Sequence, residues 1–245
     1  MVGGRNSGIL LDTMEVYDLQ TSKWAAAPPM STIRYGCGAA EMDGLLYVVG
    51  GIESVSPHPP LNTAEHFSPA SRSWMPLPPM ATKRHACGVT ALDGLLYVVG
   101  GYDGHARLNT FECFAPASNT WTTLPPMSTE RSQCAVAMLG GSLYVFGGCD
   151  GHTCLNTVEC FSRASNTWSS IPPMSTKRRG CGVAVLDGSL YVVGGFGGLD
   201  FNTVHNTVEY FSPASNTWTT LPPMSTKRGA CAVAVLGGSL CVVEG

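Results

Sequence analysis

The 245-residue sequence has few charged residues, no long hydrophobic run and no segment with a convincing helical period. Charged residues make up 13% of the chain and the formal net charge is −3, which gives no overall electrostatic basis for nucleic-acid binding. No apolar stretch approaches the roughly 20 residues that a membrane-spanning helix needs. The N-terminal residues lack a basic segment followed by a hydrophobic one, so we expect no secretory signal peptide and no membrane partner.

Ten cysteines are present, but the chain is too long for the small secreted domains that disulfides hold together. We therefore expect reduced thiols and a cytoplasmic location. Glycine and proline are frequent, with 29 and 17 copies, and 44% of the residues are hydrophobic. This composition predicts many short strands joined by turns.

The main feature of the sequence is an internal repeat of 47 to 50 residues. Five copies of Pro-Pro-Met end at Met30, Met80, Met127, Met174 and Met224. A tryptophan lies six residues before each of these methionines, an arginine four residues after and a cysteine seven residues after. Glycine doublets recur in register, and so does a glutamate placed shortly before an aromatic residue. So many features in one register indicate a repeat architecture.

Each repeat predicts four antiparallel strands. The segments "CGVAVL" and "LYVVGG" read as buried strands, and the Asp-Gly or Gly-Gly between them is a signal for a short hairpin. "NTVECF" and "TWTTLP" alternate in polarity on either side of the turn "SPASN". Pro-Pro ends the last strand, since proline has no N–H for the ladder.

The glycine doublet after "LYVV", the aromatic residue after the repeated glutamate and the following tryptophan resemble the Kelch repeat along essentially the whole chain. This resemblance implies an all-β fold, a Kelch-type β-propeller with one four-stranded blade per repeat. We expect a single propeller domain over residues 1–245. Its blades are predicted at about 34–80, 84–127, 131–174 and 178–224, with a fifth made from 228–245 and 1–30.

In that arrangement the N-terminal and C-terminal strands pair and close a five-bladed ring without a free edge. The alternative is a fragment of a six-bladed propeller. Residues 2–4 repeat the end of a strand that the C-terminus also supplies, and Cys241 and Glu244 depart from the repeat.

The loops on one face vary, whereas the turns on the other are nearly uniform. The variable loops follow the glycine doublets and read "RNSGILL", "IESVSPHPPL", "YDGHARL", "CDGHTCL" and "FGGLDFNTVH". The loops after Pro-Pro-Met share this face and contain 9 of the 14 lysines and arginines. Variable loops on a repetitive scaffold commonly carry binding, so we expect this face to bind a partner.

The repeated arginines admit two interpretations. They could form a basic ring around the channel mouth that binds carboxylates or phosphates. Because each recurs together with a glutamate, they could instead form an ion pair repeated in every blade.

Resemblance to Kelch-like substrate adaptors of cullin ubiquitin ligases implies binding of acidic peptide motifs at these positions. The implied partner-binding residues are Arg34, Arg84, Arg131, Arg178, Arg228, Arg5, Tyr35, His85, Tyr102, Ser132, Arg179 and Phe196. Ile52 and Cys149 depart from the polar or aromatic type at their positions.

We predict neither an enzyme nor a cofactor. The five cysteines at one strand position are expected to pack rather than bind metal. Cys149, His152 and Cys154 lie in one loop, but their spacing is not a recognised zinc pattern and a fourth ligand is missing. No Ser/His/Asp set, convergent carboxylate pair or phosphate-binding loop is present.

The sequence therefore predicts a monomeric protein-interaction module for an acidic peptide or protein partner. Two alternatives remain open at this point. One is a cytoskeletal, actin-associated Kelch protein, and the other is a propeller enzyme or sugar binder that uses the central pocket.

Overall fold

The computed structural model describes residues 2–18, 20–54 and 59–244, and all regular elements in these ranges are β-strands. Within the same ranges no helix has the length and apolar character needed to cross a bilayer. The chain forms two compact units. Unit 1 contains Met1–Ala106 and Glu112–Thr123, and unit 2 contains Arg107–Phe111 and Leu124–Gly245. The prediction of a single domain stays a prediction.

The N-terminal strands form two small antiparallel sheets. Strands β1 (Arg5–Asn6) and β2 (Ile9–Leu10) pair with each other. Strands β3 (Met14–Asp18) and β4 (Lys23–Ala27) form a second pair in unit 1.

Four sheets of four strands follow, each with consecutive strands side by side. The first contains β5 (Gly38–Met42), β6 (Leu45–Val49), β7 (Ala64–Ser68) and β8 (Ser73–Pro76). The second contains β9 (Gly88–Leu92), β10 (Leu95–Val99), β11 (Phe111–Ala115) and β12 (Thr120–Leu124). The third contains β13 (Ala135–Leu139), β14 (Ser142–Phe146), β15 (Val158–Ser162) and β16 (Thr167–Ile171). The fourth contains β17 (Gly182–Leu186), β18 (Ser189–Val193), β19 (Val208–Ser212) and β20 (Thr217–Leu221).

The C-terminal strands β21 (Cys231–Leu236) and β22 (Ser239–Glu244) form a two-stranded sheet in unit 2. The predicted fifth blade needed these strands to pair with β3 and β4, but the described residues contain two separate two-stranded sheets instead. Their apolar side chains are uncovered, with Trp24 59% and Leu236 71% exposed. The closed ring and the number of blades therefore stay predictions.

The predicted hairpin turns are present. Leu186 pairs with Ser189, so β17 and β18 are joined by the two residues Asp187 and Gly188. Both have positive φ, 48° and 70°, as a type I′ turn requires. This turn matches the twist of the strands, which explains why Asp-Gly or Gly-Gly recurs at this point.

The second strand of each four-stranded sheet supplies much of the core. In unit 1, Leu96 and Val98 of β10 are fully buried in a cluster with Phe114. In unit 2, Leu190 and Val192 of β18 pack in a cluster with Phe146, Phe211 and other buried residues. These strands read as continuous apolar runs because both of their faces are covered.

Each interior tryptophan joins its own sheet to the preceding repeat. The Trp121 indole Nε1 donates a hydrogen bond to the Pro78 carbonyl at 2.8 Å, and its ring lies 5.1 Å from that of Phe114. Trp74, Trp168 and Trp218 make the same bond to Pro28, Pro125 and Pro172. The tryptophan and the Pro-Pro pair therefore recur together because they contact each other across consecutive repeats.

The glycine doublets permit a close backbone contact with the next repeat. The Gly148 N–H donates to the Arg178 carbonyl at 2.8 Å. Gly147 has φ +54°, and a Cβ on it would lie 2.2 Å from that same carbonyl oxygen. Only glycine fits this position, because any side chain would collide with backbone.

We expect Trp121→Ala to destabilise the protein by about 3 kcal/mol, because it removes packing and a buried hydrogen bond. Trp24→Ala is the matched control, since Trp24 holds the same repeat position but is exposed, and it should change stability by less than about 0.5 kcal/mol. Urea denaturation of both variants measures the difference. Equal losses would show that Trp24 is buried in solution, as the closed five-bladed ring requires.

We expect Gly147→Ala to be more destabilising than Gly140→Ala. Both glycines have nearly the same φ, +54° and +58°, so both variants incur about 1–2 kcal/mol of left-handed strain. A Cβ at Gly140 meets nothing within 4 Å, whereas one at Gly147 meets the Arg178 carbonyl. Melting temperatures compare the two, and equal values would contradict the close contact.

Candidate functional site

The loop face is formed by the loops after the glycine doublets and the loops after Pro-Pro-Met. After four of the five doublets, the next residue pairs by backbone with the residue that follows a repeated arginine. In unit 1 these pairs are Ile52 with Tyr35 and Tyr102 with His85. In unit 2 they are Cys149 with Ser132 and Phe196 with Arg179. The two loop types thus meet on one face of each unit, as predicted, although Val55–His58 of one variable loop lie outside the described residues.

The repeated arginine lies at the centre of a buried hydrogen-bond network. In the third four-stranded sheet, Arg131 Nη2 lies 3.0 Å from Glu159 Oε1, and the two side chains are 0% and 4% exposed. Arg131 Nη1 donates to the Gly147 and Thr157 carbonyls at 2.8 and 3.0 Å. Its Nη2 also donates to Thr157 Oγ1, and its Nε to Glu159 Oε1. The guanidinium is therefore bound on every nitrogen.

The glutamate of each pair also holds the loop after Pro-Pro-Met. Glu159 Oε2 accepts hydrogen bonds from the Ser128 N–H and hydroxyl, both at 2.8 Å. The same ion pair recurs as Arg34 with Glu65, Arg84 with Glu112 and Arg178 with Glu209. In each four-stranded sheet the ion pair thus connects the third strand, the glycine doublet after the second strand and the segment between Pro-Pro-Met and the first strand.

These contacts bear on four predicted partner-binding residues, Arg34, Arg84, Arg131 and Arg178. Each is at most 1% exposed and its charge is met by a buried carboxylate. The geometry favours the second interpretation, a repeated structural ion pair, because the guanidinium groups have no surface with which to meet a partner. Their role in partner binding stays a prediction without support from this geometry. Arg228 differs, since its side chain is partly exposed and has no ion pair among the described residues.

The environment of Glu159 determines the direction in which its pKa is shifted. Burial penalises the charged form and acts to raise the pKa, but hydrogen bonds from Ser128 and the Arg131 charge outweigh it. The pKa of Glu159 therefore lies below its ordinary value of 4.5. The carboxylate is charged at neutral pH, as the ion pair requires.

In unit 1 the candidate residues form a partly exposed aromatic surface. Tyr35 is 38% exposed and its ring lies 6.0 Å from that of His85. Tyr102 pairs with His85 by backbone, and its hydroxyl donates to the Gly104 carbonyl. Arg5 on β1 is exposed. An open groove of about 550 Å³ lies beside them and is lined by residues that include Lys83, Asp103 and His105.

In unit 2 the candidate residues are more enclosed. Arg179 is 3% exposed and stacks 3.9 Å from the ring centroid of Phe201 and 5.2 Å from that of Phe196. Its guanidinium donates to the carbonyls of Gly198 and Leu199 and to Gln133 Oε1. Ser132 is buried as well, with its hydroxyl 3.2 Å from Cys149 Sγ.

The Arg179 charge differs from those of the other buried arginines. Its hydrogen-bond acceptors are neutral carbonyl and amide oxygens. The Asp200 carboxylate also lies near it, since hydrogen bonds from Asn202 and the Arg179 charge both lower the pKa of Asp200. Lys177 and Lys227 are exposed on the same face of unit 2, and neither forms an ion pair with a described residue. The four cations Lys177, Arg179, Lys227 and Arg228 outnumber the carboxylates Glu130, Asp150 and Asp200 by one on this part of the loop face.

Sequence reasoning missed several members of the arginine network. Thr157 accepts hydrogen bonds from the Arg131 guanidinium through its carbonyl and its hydroxyl. Asn156 exchanges hydrogen bonds with the Met174 backbone and so fixes the Pro-Pro-Met loop. The signal was available, because Asn-Thr recurs in register at 62–63, 109–110, 156–157 and 206–207. Phe201 and Gln133, which hold Arg179, have no counterpart in the other repeats and gave no such signal.

Four of the repeated cysteines lie immediately before the first strand of a four-stranded sheet, and the fifth, Cys231, begins β21. Burial raises the pKa of the Cys181 thiol to about 12, so it stays protonated at neutral pH. All ten cysteines are free. In the part of the chain that the structure describes, no three His, Cys, Asp or Glu side chains lie close enough to hold a metal ion. Cys149, His152 and Cys154 are included in that finding.

Two protein-family models match this chain. The family model for the KLHDC2/KLHL20/DRC7 Kelch-repeats domain matches residues 36–245, and the model for the Kelch motif matches residues 2–31. The chain therefore belongs to the Kelch-repeat family, and its fold is a Kelch-type β-propeller. Domains of this family generally bind protein partners, which is consistent with a protein-interaction scaffold.

Curated relatives match only part of the chain. Kelch-like protein 25 from Rattus norvegicus is 39% identical over 77 residues, 28% of this chain and 13% of that protein. An F-box/kelch-repeat protein from Arabidopsis thaliana is 42% identical over 50 residues, 20% of this chain and 12% of that protein. The matches thus span about one eighth of the length of these relatives.

A solved structure supports the fold. The structure of YjhT superimposes with a TM-score of 0.81 at 16% sequence identity, covering 99% of this chain and 89% of that one. At this identity the likeness shows the fold alone. The absence of enzymatic activity stays a prediction.

The Arg131–Glu159 pair predicts a pH dependence of stability. Because the pKa of Glu159 is lower in the folded than in the unfolded chain, its contribution is complete above pH 4.5 and is lost as the pH falls through the native pKa. We expect Glu159→Gln to lose about 3 kcal/mol at neutral pH, where it leaves a buried arginine unpaired, and to show a shallower loss in acid.

Urea denaturation from pH 7 to pH 3 measures both effects. Glu130→Gln is the control, since Glu130 is exposed and neighbours Arg131 in sequence. It should follow the wild-type curve. A Glu159→Gln curve parallel to wild type throughout would contradict the ion pair.

Proposed function

We propose that the chain is a protein-binding module that holds an acidic partner segment on its loop face. The observation that carries the proposal is the excess positive charge of unit 2. Arg179 has only neutral hydrogen-bond acceptors, Arg228 is partly exposed without an ion pair among the described residues, and Lys177 and Lys227 are exposed. Cations that the protein itself does not neutralise attract a partner of opposite charge.

The aromatic surface of unit 1 supports the same function. Tyr35, His85 and Tyr102 are partly exposed, and tyrosine is enriched among the residues that dominate protein interfaces. Arg5 and Lys83 place further exposed cations on this unit's share of the loop face. Each unit therefore has its own set of candidate contacts, and each is testable by itself.

Recognition of an acidic peptide by this face is also what the resemblance to Kelch-like adaptors of cullin ubiquitin ligases implies. We extend the proposal to that role, in which the chain supplies substrate recognition. It predicts that a cullin is captured together with the partners of the native full-length protein. We also propose that the chain acts as a cytoplasmic monomer. Its ten free cysteines are consistent with a reducing compartment. A molecular mass measured by light scattering would test the monomeric state.

We expect Lys177→Ala with Lys227→Ala to weaken binding of acidic partners about five- to tenfold and to reduce its salt dependence. Two exposed charge contacts of up to about 1 kcal/mol each account for this loss. Partners are captured from cell lysate on wild-type and variant chains and identified by mass spectrometry. Affinities are then measured for peptides from the captured proteins.

The matched control is Lys23→Ala with Arg72→Ala, which removes two exposed charges of unit 1, one at the start of β4 and one in the turn between β7 and β8. It should keep every partner. Peptides with glutamate replaced by glutamine should lose affinity for wild type by a similar factor. Unchanged capture and salt dependence in the lysine variant would overturn the acidic-partner proposal and direct attention to Tyr35 and His85.

A further inference from the structure

Two cysteines face each other in the loop 149–155 of unit 2. Cys149 and Cys154 form an isolated antiparallel bridge, with Asp150 N bonded to Thr153 O and Leu155 N to Gly148 O. These bonds flank the cysteine pair, which is therefore a non-hydrogen-bonded pair. Such pairs have Cα atoms about 4.5 Å apart and side chains on the same face. A disulfide accepts Cα separations of about 4.4–6.8 Å, so this backbone already fits one.

The turn that joins the two cysteines holds them in place. The Asp150 carboxylate accepts hydrogen bonds from the N–H groups of His152 and Thr153, both at 2.8 Å. A turn fixed in this way limits how far the strands can separate. The two thiols therefore stay close together in the reduced protein.

The corresponding bridges in other repeats contain no cysteine pair. Ile52 pairs with Pro60, and Phe196 pairs with Val204. These positions fill the base of the loop with apolar side chains, and cysteine can serve as a small apolar residue in the same way. Packing alone would not require both members of one pair to be cysteine.

Polar groups touch both sulfur atoms. Cys149 Sγ lies 3.2 Å from the Ser132 hydroxyl, and the Arg179 guanidinium lies beside the Cys154 thiol. Burial raises the pKa of Cys154, whereas the Arg179 charge acts in the opposite direction and favours the thiolate. Because burial outweighs the Arg179 charge, little thiolate is present at neutral pH and the thiol reacts slowly.

We propose that Cys149 and Cys154 are a modification site that forms a reversible intramolecular disulfide on exposure to a peroxide. One thiolate attacks the peroxide, its sulfur is oxidised to a sulfenic acid, and the O–O bond breaks to release water after protonation. The neighbouring thiol attacks the sulfenic sulfur, the S–S bond forms, and the S–O bond breaks to release a second water. Two thiols and one peroxide thus give one disulfide and two waters.

Disulfide formation would change the loop face. Cys149 Sγ must turn from the Ser132 hydroxyl, and Cys154 Sγ must turn from Arg179, so both neighbours lose a contact. A thiol reductant reverses the change, as expected of a redox-sensing pair in a reducing compartment. The formation of this bond does not depend on which partner the face binds.

The test is peptide mapping of the full chain after treatment with hydrogen peroxide. The protein is reduced, freed of reductant, treated in its folded state, alkylated and digested with trypsin and Asp-N. Trypsin cleaves after Arg131 and Arg163, and Asp-N cleaves before Asp150. Cys149 and Cys154 then lie in different peptides, 132–149 and 150–163. We expect these peptides to be joined, two hydrogens lighter than their sum, and to separate on reduction.

Cys134 and Cys160 lie in the same two peptides and provide the matched controls. Cys134→Ser and Cys160→Ser should keep the joined species, whereas Cys149→Ser and Cys154→Ser should lose it. Fragmentation of the wild-type species locates the bond even where a variant does not fold. The proposal is overturned if no joined species forms at peroxide doses that oxidise the exposed Cys241. It is equally overturned if the bond is located elsewhere, or if a dimer band on non-reducing electrophoresis shows that it joins two chains.

Discussion

The buried ion pair between the repeated arginine and glutamate is the interaction on which each four-stranded repeat depends. Arg131 joins Glu159, the Gly147 carbonyl and Thr157, and Glu159 in turn holds the loop after Pro-Pro-Met. Two buried charges are costly unless each is paired and fully hydrogen-bonded. The network meets that condition. This explains why the arginine, the glutamate, the glycine doublet, the threonine and the Pro-Pro-Met loop recur in one register.

The same network redefines what the loop face offers to a partner. The donors of the buried arginines are already used within the scaffold, so this geometry gives no support to their predicted role in partner binding. The charge left over comes from residues that are not needed for the pair, such as Lys177, Lys227 and the carbonyl-bound Arg179. Under the proposed function, binding specificity rests on positions next to the repeated arginine, where the sequence differs from repeat to repeat.

The loop 149–155 shows how one repeat can acquire a property that the others lack. The backbone of its base is common to the repeats, but only here do cysteines occupy both facing positions among the bridges at Ile52, Cys149 and Phe196. A rigid scaffold brings any pair at these positions within reach of each other. The chemistry is thus set by side-chain identity, and its geometry by the repeat.

The sequence by itself determined the strand pattern, the hairpin turns and the family, because these depend on local periodicity and on features repeated five times. It also suggested, as one of two interpretations, that each repeated arginine forms an ion pair with a repeated glutamate. Only the tertiary structure decided between them, since burial and hydrogen-bond saturation are set by which segments meet across the fold. Arg34 and Arg228 occupy the same repeat position in the sequence, yet Arg34 is 1% exposed and Arg228 is only partly buried. The contacts of Arg179 with Phe201 likewise arise from the packing of one loop that no other repeat shares.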